Sequence, residues 1–220
     1  VDREKRLRES RIAREGMKLI LPSLVLFALL FIVHAYILSS IVFLFLIFCL
    51  FFFRNPRRIS AEPDNVLLSP ADGKVMEVGQ IAENEFINVT MQRISIFMSP
   101  ADVHVNRAPC EGQVVKMLHR PGEFALAFRK DIDKNNERNY ILIEHHNERL
   151  LLVQIAGFLA RRIIAYVKEG DHVSRGDTVG MIAFGSRVDI YFPNNYETMV
   201  ELHQKVKAGI TPLAQRKGEI

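Results

Sequence analysis

At 220 residues and a net charge of +4, the chain suits one domain plus an appendage. Two cysteines are too few for a disulfide framework, and with no Cys/His spacing of the zinc-binding kind no metal is expected. Hydrophobic residues make up 49% of the chain but crowd into one stretch, and no basic patch interleaved with aromatics points to nucleic acid.

Residues 1–18 form a basic arm carrying Arg3, Lys5, Arg6, Arg8, Arg11, Arg14 and Lys18, with a helical pattern. Residues 19–53 are almost uncharged and apolar. One helix of that length would run roughly 50 Å, whereas a bilayer core is about 30 Å thick. Two short spans turning near His34 to Ser40 fit better, with one strongly tilted helix as the alternative. The run is too long for the apolar core of a cleaved signal segment. Arg54, Arg57 and Arg58 come after it, so both flanks are positive, and the expected arrangement is a hairpin with both ends cytoplasmic. Such arms meet anionic lipid head groups.

Residues 54–65 read as a polar linker with Pro56 and Pro63, and residues 66–220 as the soluble domain. Short alternating runs bounded by turn residues predict strands over 73–79, 93–98, 112–117, 140–144 and 150–155. Residues 124–134 fit a helical turn or a loop, and 158–166 a short helix or a strand. Residues 167–182, with Gly170, Gly176 and Gly180, have the cadence of a flattened β-hairpin as in biotinyl and lipoyl carrier domains. A carrier would next present a modifiable lysine between methionines or acidic residues, and this chain does not. Lys116-Met117 is only a faint echo of that motif. The chain instead continues into Phe184-Gly185-Ser186-Arg187 and a strand-like run, 188–193. Gly-Ser is a common turn dipeptide. It is also a bond at which a chain can cut itself, because glycine leaves its carbonyl open to the serine hydroxyl.

Six segments in order resemble the phosphatidylserine decarboxylases, in particular their short membrane-anchored class. They are Phe53-Arg54-Asn55-Pro56-Arg57-Arg58, Ser69-Pro70-Ala71-Asp72-Gly73-Lys74-Val75, Phe97-Met98-Ser99-Pro100-Ala101-Asp102-Val103-His104-Val105-Asn106-Arg107-Ala108-Pro109, Gly122-Glu123-Phe124, Asn136-Glu137-Arg138-Asn139 and Phe184-Gly185-Ser186. Together they span about residues 53 to 193. The expected fold is α+β: a mostly β soluble domain of sandwich or barrel type, with the carrier-like hairpin segment, preceded by a transmembrane helical hairpin.

The resemblance implies self-cleavage between Gly185 and Ser186, with Ser186 becoming a covalent pyruvoyl group that forms a Schiff base with the substrate amine. A β chain, 1–185, and an α chain from 186 would stay paired, and assembly of the pairs into homo-oligomers is left open. It implies Asp72 as part of an Asp-His-Ser arrangement for cleavage. His104 is the expected acid–base residue, since a histidine passes protons near neutral pH. Arg107 stands where longer members carry a second histidine. Either His104 serves both steps, or His119 or the His145-His146 pair substitutes. Arg107 and Arg187 are candidates for binding the substrate's anionic groups. The implied substrate is a phospholipid at the inner membrane, with the soluble domain on the cytoplasmic face. The alternatives are an archaetidylserine or related serine-lipid decarboxylase, and a non-enzymatic, membrane-anchored carrier-like domain.

Overall fold

Leu, Ile and Phe fill residues 19–53 with no charge to interrupt them, and the chain there forms two helices, α1 (Arg14–Ile32) and α2 (Tyr36–Phe52). The computed structural model describes residues 10–122, 136–157, 162–182 and 186–218. The chain divides into two compact units, Val1–Arg57 and Arg58–Ile220.

In the first unit the helices are separated by a tight turn, with His34 at φ 60° and the Ala35 amide donating to Leu30 O at 2.9 Å. The alternative of one continuous helix is thereby corrected: the polar residues at the turn satisfy a chain reversal. Helix α1 begins inside the basic arm, at Arg14 rather than after Lys18. Phe27 and Phe43 pack with ring centroids 5.4 Å apart, and at the open end the Ala13 amide donates to Phe53 O at 2.8 Å. The outer surface stays apolar, with Val25, Ile32, Val33, Ile37 and Leu44 exposed. Helix α1, of 19 residues, is long and apolar enough to cross a membrane; α2 is shorter, at 17 residues.

The second unit is β structure. Its strands are β1 (Val66–Leu68), β2 (Gly73–Glu83), β3 (Val89–Met98), β4 (Val105–Arg107), β5 (Gly112–Arg120), β6 (Arg138–His145), β7 (Glu148–Ala156), β8 (Ile163–Ala165), β9 (His172–Val173), β10 (Thr178–Ile182), β11 (Ser186–Phe192), β12 (Tyr196–Thr198), β13 (Lys205–Val206) and β14 (Pro212–Arg216). An eight-stranded antiparallel sheet runs β13-β2-β3-β11-β7-β6-β5-β9, and two three-stranded sheets run β4-β10-β8 and β1-β14-β12. The expected strands are all present, most of them longer than the apolar runs that announced them. Residues 163–165 form a strand, while 158–161 and 124–134 lie outside the described residues. The carrier-like segment 167–182 is shared between sheets: β9 pairs with β5, and β10 with β4 and β8. Left-handed turns at Gly170 (φ 87°) and Gly176 (φ 84°) redirect the chain between them. The expected linker is partly docked. Arg58 enters the β unit, and Arg175 donates to the Glu62 and Pro63 carbonyls.

The core lies between the large sheet and the two small ones. One row crosses four strands, Ile94–Ile190–Leu152–Ile141, with all four side chains buried. Each such side chain contributes about 1.5–3 kcal/mol by leaving water. Because strand side chains alternate, β11 sends Val188, Ile190 and Phe192 into this core and Arg187, Asp189 and Tyr191 to the other face.

Candidate active site

Ser186 is the first residue of β11 and shares the inward face with Val188 and Ile190. Its side chain is fully buried. It pairs with Met98 on β3 and Ala156 on β7, so it occupies an interior strand of the large sheet. Its Oγ donates to Met98 Sδ at 3.4 Å. A thioether is a weak acceptor, so the hydroxyl is placed without being strongly committed. Gly185, the other half of the expected cleavage bond, lies outside the described residues.

A chain of amides converges on the same sulfur. Asn139 Nδ2 donates to Gln154 Oε1 at 2.8 Å, Gln154 Nε2 to Asn106 Oδ1 at 2.8 Å, and Asn106 Nδ2 to Met98 Sδ at 3.5 Å. All three amide side chains are buried, so each bond replaces water that cannot reach the site. Gly180 makes room for them, since a Cβ there would stand 2.8 Å from Gln154 Nε2. Asn136 Nδ2 donates to Ala156 O at 2.7 Å, bracing the residue that pairs with Ser186.

Asn106, Gln154 and Met98 are neighbours of Ser186 to which the sequence pattern gave no role of their own. Gln154 carried a signal, as the lone polar residue in the apolar run Leu150–Ala156. Its partner Asn106, on β4 and 48 residues away, lies in the segment 97–109 that carries the resemblance, but no local pattern marked it as the group that meets Gln154.

His104 is fully buried just before β4. Its carbonyl accepts from the Ile182 amide at 3.3 Å, four residues before Ser186. Its Nδ1 lies 2.9 Å from the Asp102 carbonyl, which can only accept, so Nδ1 carries the proton and Nε2 the lone pair in the neutral ring. Asp102 in turn accepts from Ser99 N and Oγ at 2.8 and 2.7 Å, which stiffens this loop.

Asp72 has a guanidinium partner rather than an imidazole. Its carboxylate pairs with Arg58 through both oxygens, the NH2–Oδ2 distance being 2.7 Å, and accepts from the Ala208 amide at 2.8 Å. The turn is held close to β3, for a Cβ at Gly73 would stand 2.1 Å from Phe97 O. Arg107 donates to Gly176 O at 2.7 Å, next to Asn106 on β4 but on the opposite side of the strand. Burial, then the Arg58 charge, lowers the Arg107 pKa from its ordinary value. Arg187 forms a two-point buried ion pair with Asp189, at 2.6 Å for each contact, on the face of the large sheet opposite Ser186. The structure therefore gathers Asn106, Gln154 and Met98 around Ser186, and engages Arg107 and Arg187 elsewhere. Of the other expected histidines, His119 is half-exposed beside Glu137, and His145 and His146 lie at the far end of β6.

The sequence model of the phosphatidylserine decarboxylase family matches residues 45–214. The phosphatidylserine decarboxylase proenzyme of Carboxydothermus hydrogenoformans is 46% identical over 182 residues, covering 82% of this chain and 85% of that one. The proenzyme of the same name from Pelagibacter ubique is 39% identical over 210 residues, covering 94% and 97%. That of Beijerinckia indica is 44% identical over 177 residues, covering 78% and 75%.

Proposed function

The chain belongs to the phosphatidylserine decarboxylase family, and we propose that Gly185–Ser186 is the bond it cuts in itself and that residue 186 becomes its pyruvoyl group. The enzyme removes the carboxyl group of phosphatidylserine as carbon dioxide and leaves phosphatidylethanolamine. The observation that carries the proposal is the placement of Ser186: fully buried, at the very start of an interior strand. A cut before residue 186 leaves β11 held by seven residue pairs to β3 and six to β7. The fragment from 186 also supplies β12, β13 and β14, which are woven into two sheets. The two pieces stay together without a covalent link, and the new terminus stays where the serine was.

The residues present suit a small ketone at that position. No charged side chain among the described residues bonds the Ser186 hydroxyl, and its contact is the neutral Met98 sulfur. A pyruvoyl carbonyl there supplies an electrophile for the substrate amine and a sink for the electrons released as carbon dioxide leaves. For cleavage, the Ser186 hydroxyl must turn from Met98 to the preceding carbonyl, and the weak bond to sulfur makes that turn inexpensive. Asn106 Nδ2 bonds the same sulfur as the Ser186 hydroxyl, which supports a role for it as a donor to oxygen that gains charge during cleavage. Gln154 and Asn139 hold Asn106 in that orientation. His104 Nε2 takes up and returns protons, with Nδ1 anchored on Asp102. Asp72 serves cleavage by position: through Arg58 and the Ala208 amide it fixes the turn that enters β2. The apolar helices α1 and α2 bring the domain to the membrane that holds its substrate, with the domain on the cytoplasmic face.

Mass spectrometry under denaturing conditions tests the reading. An active preparation should yield a fragment beginning at residue 186 whose mass fits a pyruvoyl terminus. Ser186→Ala should abolish both cleavage and activity. An intact, active chain with an unmodified Ser186 would overturn the proposal.

A further inference from the structure

At the end of the large sheet away from Ser186, three side chains converge that the decarboxylase chemistry does not use. Strands β6 and β7 close as a hairpin with His145 opposite Glu148, leaving His146 and Asn147 as a two-residue turn. Both turn residues have left-handed backbones, φ 47° and 63°, as the tightest hairpins require. Neighbours along a strand point to opposite faces. The left-handed step at His146 breaks that alternation and brings the two imidazoles together, ring centroids 4.2 Å apart and tilted by 56°. Glu111 arrives from the strand next door. Gln113 pairs with Glu144, and continuing that antiparallel register by two residues sets Glu111 opposite His146. One donor atom from each of Glu111, His145 and His146 lies within 4.8 Å of the other two.

We propose that Glu111, His145 and His146 form a binding site for a divalent transition-metal ion of the zinc type. Two imidazole nitrogens and one carboxylate oxygen are a donor set that suits zinc and its neighbours in the first transition row, and suits the oxygen-seeking magnesium and calcium poorly. His145 is buried while Glu111 and His146 are exposed, so the site has a fixed floor and an open entrance. Three protein donors leave the remaining coordination to water. Strand β6 runs seven residues from Arg138, near Ser186, to His145, so the site stands about 23 Å along the sheet at ~3.3 Å per residue. An ion there ties the start of β5 to the β6–β7 turn.

The test uses untagged full-length protein in detergent, stripped with chelator and titrated with Zn²⁺ by calorimetry. The expected result is one Zn²⁺ per chain and a raised melting temperature. Loss of a partner that merely orients a ligand costs about 10–100-fold in affinity, so His146→Ala and Glu111→Gln, which remove ligands, should each weaken binding at least about ten-fold. Both residues are exposed, which keeps the fold out of the comparison, and both variants should self-cleave and decarboxylate normally. If the Glu111→Gln/His146→Ala double variant binds Zn²⁺ as tightly as the unaltered chain, or the unaltered chain binds none, the site does not exist.

Discussion

The Arg58–Asp72 pair separates a positioning role for Asp72 from a chemical one. Both side chains are nearly buried, at 7% and 11% exposure, and the carboxylate is engaged by the guanidinium and by the Ala208 amide. Removing one partner of such a pair strands the other charge and costs about 3–5 kcal/mol. Replacing both with uncharged groups of similar size is close to neutral. In a domain of this size each kcal/mol moves the unfolding midpoint by about 2–4 °C, so Arg58→Met or Asp72→Asn alone should lower it by about 6–20 °C. The double variant should recover most of that loss. Self-cleavage is read on the same samples from the appearance of the 186–220 fragment on denaturing gels. If Asp72 acts by holding the turn into β2, both single variants cleave slowly and the double variant cleaves nearly as the unaltered chain does. A double variant that regains stability yet does not cleave would refute the positioning argument and make the carboxylate a participant in the chemistry. A double variant no more stable than the singles would refute the energetic one.

Gln154→Leu leaves the Asn139 amide and the Asn106 carbonyl oxygen unpaired in the core. At about 1–3 kcal/mol for each orphaned group, less about 1.5–3 kcal/mol gained by a buried leucine, the net loss by urea unfolding is at most about 4 kcal/mol. Cleavage should slow further than stability alone explains, and a normal rate would remove Asn106 from the site. Arg187→Met strands the buried Asp189 carboxylate and should cost about 3–5 kcal/mol. With the side chain on the far face, KM for the lipid should be unchanged in whatever protein folds, and a raised KM would show that Arg187 reaches the substrate. Burial and then the Asp189 charge raise the Tyr191 pKa from 10.0 to about 12. The folded state therefore holds this proton longer than the unfolded state, and stability falls as pH rises from 10 to 12. Tyr191→Phe should flatten that part of the profile, and an unchanged slope would assign it to other groups.

The residue pattern was enough to locate the apolar segment, the β character of the domain and the family's segments in order, because each of these is local. An uncharged run of 35 residues declares its solvent, alternation declares strands, and Gly185-Ser186 needs only adjacent residues to be a cleavable bond. The break between α1 and α2 was legible from His34 to Ser40 for the same reason. What surrounds Ser186 was decided by sheet order. Placing β11 between β3 and β7 sets Met98 and Ala156 against Ser186, and β4, from another sheet, delivers Asn106 to Gln154. Nothing within a few residues of Asp72 foretold that Arg58 would take its carboxylate, or within a few residues of His145 that Glu111 would arrive beside it. Strand alternation then separated residues that are neighbours in sequence: Asn106 turns toward the serine and Arg107 away, Ser186 faces the core and Arg187 the opposite side. The sequence alone determined which chemistry the chain carries, through short motifs whose geometry is built into adjacent peptide units. Only the tertiary structure decided which side chains surround Ser186, because partners far apart in sequence meet through strand pairing, whose order no local pattern encodes.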